Sequence, residues 1–307
     1  MESVKKKRLK RLIKKYMPVY IMMIPILIFL IIFKYYPMYG IILAFKDYLP
    51  SKGILGSEFV GFKHFKEIFI EPQFLRALRN TIILSVLKIV FCFPVPIIMS
   101  LFLNEIKIKR IRNSIQYMIY LPNFISWVII GEIVRIVFAT GDGLINNAIV
   151  QFGGTRKEFL TNPKWFYFIY IFSTIFKEAG WGTVIYMASI SQINQELYEA
   201  AKIDGASKFK IAMKITLPCI SPIIVMMFIL AVGNIMNAGF DPIFNLYNKS
   251  VYNVADILDT YLYRTGISEG KIEIGVALGL FKSVINFALL MMANTIIKKL
   301  NGRGLYD

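Results

Sequence analysis

The sequence predicts an all-α integral membrane protein with six transmembrane helices and both termini in the cytoplasm. Three observations predict it: the composition, six apolar runs of span length, and the placement of the basic residues. Of 307 residues, 56% are hydrophobic and only 18% are charged. An ordinary soluble domain is about 25% charged and about 45–50% apolar. That difference excludes a soluble globular domain, a disordered chain and a small disulfide scaffold. A net charge of +17 would suggest nucleic acid in a soluble protein. Here the cations collect at the ends of apolar runs and no basic-aromatic motif accompanies them, so no nucleic-acid partner is expected.

A bilayer core of about 30 Å needs about 20 mostly apolar helical residues. Such runs occupy residues 17–36, 81–103, 115–138, 165–190, 217–236 and 275–297. The first follows a basic cytoplasmic segment, residues 1–16, holding Lys5, Lys6, Lys7, Arg8, Lys10, Arg11, Lys14 and Lys15. Its apolar run is long and no small-x-small cleavage pattern follows, so it reads as an uncleaved span. The basic segment is either a plain orientation signal or a helix on anionic membrane lipid. Residues 17–307 then form one six-span domain.

The second span carries Lys88 and Cys92, and Lys107, Lys109, Arg110 and Arg112 follow it. The third carries Glu132 and Arg135, three apart and able to pair on one helix face. The fourth carries Lys177, Glu178 and Trp181. Beyond it come Lys202, Lys208, Lys210 and Lys214, and beyond the sixth come Lys298, Lys299 and Arg303. The loops of the other side are longer and more sparsely basic, which puts both termini in the cytoplasm. Asn234 and Asn237 close the fifth span, and Lys282 and Asn286 lie in the sixth. Gly275 and Gly279 there suit a small-xxx-small packing face. The run Gly275–Ser283 lacks the Gly-Lys-Ser adjacency of a phosphate loop, so no ATP site is expected there.

Cys92 and Cys219 sit in or beside apolar runs, which disfavours a structural disulfide. One histidine, His64, and two distant cysteines cannot make a zinc site. No nucleophile and base stand in a recognisable constellation, so no enzyme is expected. A charge inside a span costs about 2.5–3.5 kcal/mol even on the lenient insertion scale, so the intramembrane charges and amides should face protein or water. The aromatic loop 239–274 is either a contact for a partner protein or a packed cap.

Residues 191–218 far exceed the roughly 2–8 residues that commonly join bundle helices. Asn194 suits a helix N-cap, Glu196 its first turn, and Leu197, Ala200 and Ala201 one apolar face. Asp204-Gly205 breaks the helix, and Ser207 suits the cap of a second one with Phe209, Ala212 and Met213 on its face. Periodicity leaves two uses open: a helix pair in a partner's groove, or a helix lying on the membrane.

Here the residues Glu199-Ala200-Ala201, Asp204-Gly205-Ala206 and Ile215-Thr216-Leu217-Pro218 resemble the EAA signature of binding-protein-dependent ABC importer permeases. Asn80-Thr81, the run Leu121–Trp127, the run Asp142–Asn147 and the run Gly279–Val284 are similar to the carbohydrate-uptake, maltose-importer-like family and to its LplB-type oligo- and polysaccharide branch. The resemblance covers nearly the whole chain. It implies a type I, MetI-like bundle working by alternating access. It implies that Glu199, Ala200, Ala201, Asp204, Gly205, Leu217 and Pro218 couple the bundle to an ATPase. Because family pathways run along spans 4 to 6, it selects Lys177, Trp181, Asn234, Asn237, Lys282 and Asn286 as substrate-pathway residues. The implied partners are a second homologous permease, two cytoplasmic ATPase subunits, an extracytoplasmic solute-binding protein and a carbohydrate, in the bacterial cytoplasmic membrane. No cofactor is expected in this chain, ATP and Mg belonging to the ATPases. The rival readings are the same machinery for glycerol phosphate, marked by arginine-rich anion sites, and an ion-coupled secondary transporter, marked by inverted repeats.

Overall fold

The protein is described by a computed structural model covering residues 2–301. Arg303 and the side chains of Lys5, Lys6, Lys7, Arg8, Lys10, Arg11 and Lys14 lie outside the described residues. The long elements are α1 (Lys15–Phe45), α2 (Pro72–Asn104), α3 (Lys109–Phe124), α4 (Trp127–Phe138), α5 (Pro163–Ile190), the short α6 (Gln195–Ile203), α7 (Lys208–Gly233) and α8 (Ile272–Lys299). Among the described residues, α1, α2, α7 and α8 are long and apolar enough to cross a membrane, and α3 with α4 makes a bent fifth candidate. One small hairpin departs from the all-helical expectation. Strands β1 (Lys46–Asp47) and β2 (Glu58–Phe59) pair antiparallel, Lys46 opposite Phe59.

The third expected span, 115–138, is not one helix. The chain turns by 99° between α3 and α4. Pro122 has no N–H to continue the helix, and Leu121–Phe124 tightens into a 3-10 turn. Ser126 then caps the new helix, its Oγ accepting from the Ile129 N–H at 3.4 Å. The break leaves carbonyls without helical partners. Lys177 of α5 fills the gap: its Nζ donates to the Asn123 carbonyl at 2.8 Å and to the Ile125 carbonyl.

The fourth expected span is one continuous helix of 28 residues. It is too polar to stand among the lipid-crossing candidates, because it carries Ser173, Thr174, Lys177, Glu178 and several tyrosines. Its position explains the composition. Helix α5 buries Tyr170, Ser173, Thr174, Ala179 and Gly180 against its neighbours and leaves Phe168, Phe172 and Phe176 exposed on its other face. A face shielded by other helices need not be as apolar as one that meets lipid. Gly180 is where α5 touches α3, and a Cβ there would collide with the Ile119 carbonyl oxygen.

Three helices widen into a π-turn just before a proline. Tyr36, Phe93 and Leu217 each reach back five residues, to the carbonyls of Ile31, Lys88 and Ala212. The next residue is Pro37, Pro94 or Pro218, whose ring would crowd the carbonyl of an ordinary turn. The extra residue absorbs that conflict and lets the helix continue.

Helix α1 is the outlier. None of its hydrophobic window is buried, and only its last turns, at Leu43 and Ala44, enter the core. The opposite surface, where the loops 46–71 and 239–271 meet, is a packed cap rather than a loose loop. Val251, Ala255, Ile257 and Leu258 are fully buried there. Asn80 donates to the Asp256 carbonyl at 2.9 Å, and Thr81 Oγ1 accepts from the Leu258 N–H at 2.8 Å. Asp256 is fully buried and receives both guanidinium arms of Arg264, at 3.1 and 2.8 Å. Those bonds push the Arg264 pKa further up. Gly275 packs on Gly266, but Gly279 faces open space, so only half of the expected small-residue face is used within this chain.

Candidate coupling elbow and transport pathway

The elbow is built as its residues dictate. Asn194 Oδ1 accepts from the Glu196 N–H at 3.0 Å and starts α6. The helix ends in a Schellman turn. The Ala206 N–H returns to the Ala201 carbonyl at 2.9 Å, and the Gly205 N–H to Lys202 at 3.1 Å. Gly205 takes a φ of +71°, the left-handed conformation the turn requires. Ala201 and Ala206 are the two positions that such a turn brings into contact. The motif Glu-Ala-Ala-x-x-Asp-Gly-Ala is therefore a helix with its stop signal. Ser207 Oγ accepts from the Lys210 N–H at 3.3 Å and begins α7.

One side of the elbow is fixed to the bundle. Tyr198 and Ile211 are buried, and the Tyr198 hydroxyl meets Thr216 Oγ1 at 3.1 Å. The other side is bare. Ile203 is 87% exposed and Phe209 76% exposed, with Leu197 also outward. Glu199, Ala200, Asp204 and Gly205 lie on this open side, Ala201 is half-buried, and Leu217 and Pro218 stand at the π-turn that joins elbow to span.

At the far end of α7, a cavity of about 400 Å³ opens between α2, α5 and α7. Asn234 and Asn237 line it, the amide of Asn237 donating to Asn234 Oδ1. Lys88 of α2 and Glu178 of α5 face each other across it at 3.9 Å. Ser85 also lines it, with its buried hydroxyl lacking any hydrogen-bond partner. The wall thus offers amides, a cation, a carboxylate and a free hydroxyl, the donor and acceptor set that a polyhydroxylated solute uses.

The matches to known proteins follow this geometry. Residues 68–302 match the family described as binding-protein-dependent transport system inner membrane component. The chain belongs to that family. Its matched region begins after α1, in keeping with the peripheral position of that helix. The polygalacturonan/rhamnogalacturonan transport system permease protein YteP of Bacillus subtilis is 43% identical over 98% of this chain and 95% of its own. Protein LplB of the same organism is 42% identical over 94% of this chain and 90% of its own. A chain in the crystal structure of a bacterial alginate ABC transporter, in complex with a periplasmic protein bound to alginate pentasaccharide, superposes with a TM-score of 0.88 at 38% identity. That superposition covers 97% of this chain and 100% of the other.

Within this permease the six pathway residues selected from sequence are not gathered in one place. Asn234 and Asn237 line the cavity. Lys177 is the clamp of the α3–α4 break and stands over the Trp127 ring at 5.8 Å. Trp181 is half-exposed on the outer face of α5, edge-on to Phe124. Lys282 is buried and pairs with Asp259 of the cap. Asn286 Oδ1 accepts from the Met236 N–H at 3.0 Å, closing the end of the fifth span. The cavity's charged pair, Lys88 and Glu178, was visible as intramembrane charge but not selected. The signal for it is periodic: Ser85, Lys88 and Cys92 on α2, and Thr174, Glu178 and Gly182 on α5, recur at helical spacing and all line the cavity.

Proposed function

We propose that this chain is one permease subunit of an ATP-driven importer that carries an oligosaccharide across the bacterial cytoplasmic membrane, with both termini inside. A second homologous permease completes the gate. Two ATPases grip the elbows, and an extracytoplasmic binding protein delivers the sugar. The oligosaccharide class is supported by the relatives' names and by the mixed donor-acceptor lining of the α2–α5–α7 cavity. Alginate, the solute of the similar transporter of known structure, is an acidic polysaccharide, which makes Lys88 the natural reader of a sugar carboxylate. ATP and Mg belong to the ATPases in this reading.

The observation that carries the coupling role is the elbow's bare apolar side. Ile203 and Phe209 protrude from a segment otherwise rich in lysine, and the π-turn at Leu217 joins that segment directly to α7. Such side chains at a basic, water-facing end fit a hydrophobic groove on a partner. The two rivals lose ground for stated reasons. The cavity holds no arginine, which disfavours a glycerol phosphate site, and the family match disfavours an ion-coupled carrier. The test is Glu199→Lys and Ile203→Asp/Phe209→Asp in the reconstituted importer. Both variants are expected to insert normally, to lose the ATPases on purification and to stop uptake. Retention of the ATPases with normal uptake would overturn the docking role.

A further inference from the structure

A second cavity, of about 720 Å³, lies between the elbow and the connection from α2 to α3. Its wall carries four cations, Lys107, Arg112, Lys202 and Lys208, and one carboxylate, Glu105. That carboxylate is already taken by Lys208 at 3.2 Å. Among the described residues, Lys107, Arg112 and Lys202 make no ion pair and no side-chain hydrogen bond. Arg112 is half-buried, and its guanidinium presents five donors, none of them engaged by another group among the described residues. Three positive charges without an ion-pair partner around one concave space repel each other. That repulsion is relieved if an anion fills the space.

We propose that this cavity binds a phosphate-bearing anion, either the headgroup of an anionic phospholipid or a soluble phosphate, and so clamps the elbow to the bundle. The donor set argues for phosphate. A planar guanidinium fork beside two separate ammonium groups matches a tetrahedral anion with several oxygens. The location argues likewise, because basic pockets between helices at the cytoplasmic surface suit anionic headgroups. The cations come from both moving parts. Lys107 and Arg112 belong to the bundle, whereas Lys202 lies on α6. An anion held by all three ties the elbow's position to its own occupancy, whichever solute the importer carries.

The full-length chain in nanodiscs tests this. One arm compares phosphatidylglycerol with phosphatidylcholine, read as lipid retained after detergent exchange by native mass spectrometry. The other arm adds inorganic phosphate to phosphatidylcholine discs, read as a rise in thermal midpoint. A lipid site shows preferential retention of phosphatidylglycerol; a soluble site shows the phosphate-dependent rise. In either case Lys107→Gln and Lys202→Gln each weaken binding about fivefold. Arg112→Lys, which keeps charge and fold, loses less than Arg112→Gln. Equal retention of the two lipids with no phosphate effect overturns the proposal. So does release of both anions when the purified ATPases bind, because a carboxylate of the partner then fills the cavity.

Discussion

Gly205→Ala isolates the shape of the elbow from its contacts. A Cβ at this position would meet no atom within 4 Å, so the substitution creates no clash. Its cost is conformational alone. An L-residue held at a φ of +71° gives up about 1–2 kcal/mol relative to its ordinary conformations. That is a factor of about 5–30 in the population of the native turn. The loss falls on the Ala206–Ala201 and Gly205–Lys202 hydrogen bonds, and hence on the angle between α6 and α7. The expected result is a permease that inserts and purifies normally but couples poorly: uptake and substrate-stimulated ATP hydrolysis fall about 5–30-fold, while basal hydrolysis by the free ATPases is unchanged. Gly205→Asn is the control, because asparagine tolerates the left-handed conformation better than other non-glycine residues. It should recover most of the coupling. Equal and full activity in both variants would refute the reasoning, since the turn would then be dispensable. Equal loss in both would refute it differently, by showing that something other than φ requires glycine.

Two further substitutions probe the bundle. Gly180→Ala drives a methyl into the Ile119 carbonyl, where backbone meets backbone and neither helix has a flexible side chain to yield. Steady-state abundance in the membrane should fall sharply, and wild-type levels on an immunoblot would show that α3 and α5 can separate without loss. Lys282→Met leaves Asp259 unpaired beneath the cap and should cost about 3 kcal/mol. Adding Asp259→Leu should return most of that stability in a thermal unfolding assay, and a double variant as unstable as the single one would contradict the pairing.

The sequence exposed some levels of this architecture and hid others, and the reason is range. Cap residues and stop signals act within a few positions, so Asn194, Gly205 and Ser207 announce the elbow without help from the fold. Hydropathy is also local, and it finds α1, α2, α7 and α8 because these meet lipid on at least one side. It undervalues α5, where shielding by neighbours removes the demand for apolar side chains. It misses the bend at 124–127, because Ile125 and the apolar residues beyond it keep the average high while Pro122 and Ser126 reset the backbone. The short motifs Asn80-Thr81 and Asp142–Asn147 are legible as resemblance but opaque as chemistry. Their work is done at long range: Asn80 and Thr81 hold the cap 170-odd positions away, and Asn146 staples Ala139 to Lys157 through three hydrogen bonds. The same rule explains the pathway set. Lys177 and Lys282 are buried charges, as a pathway residue should be, yet each already has its partner in the fold. Burial of a charge marks a requirement for a partner, and only the three-dimensional arrangement says whether that partner is protein or solute.

Elbow and cavity are the two ends of one element, and that continuity gives the arrangement its mechanical sense. The Tyr198–Thr216 hydrogen bond and the buried Ile211 lock α6 against the start of α7. From there the chain passes through the π-turn at 212–216 into an unbroken helix, with no flexible linker to dissipate a displacement. At its other end, Gly233 lies against Leu290 of α8, where an added Cβ would come within 2.6 Å. Beyond Gly233 the helix stops, and Asn234 and Asn237 project into the cavity opposite Lys88 and Glu178. A push on the elbow therefore moves α7 as a rod, and a rod closely packed at Gly233 moves α8 with it. Helix α5 leads into the elbow as well, through residues 191–194, and its Tyr186 and Ile190 pack on Ile220 of α7. The end of α2 reaches the elbow through the Glu105–Lys208 ion pair at 3.2 Å. All three walls of the cavity therefore converge on the elbow, which makes it the place from which a displacement reaches the amides and the charged pair together.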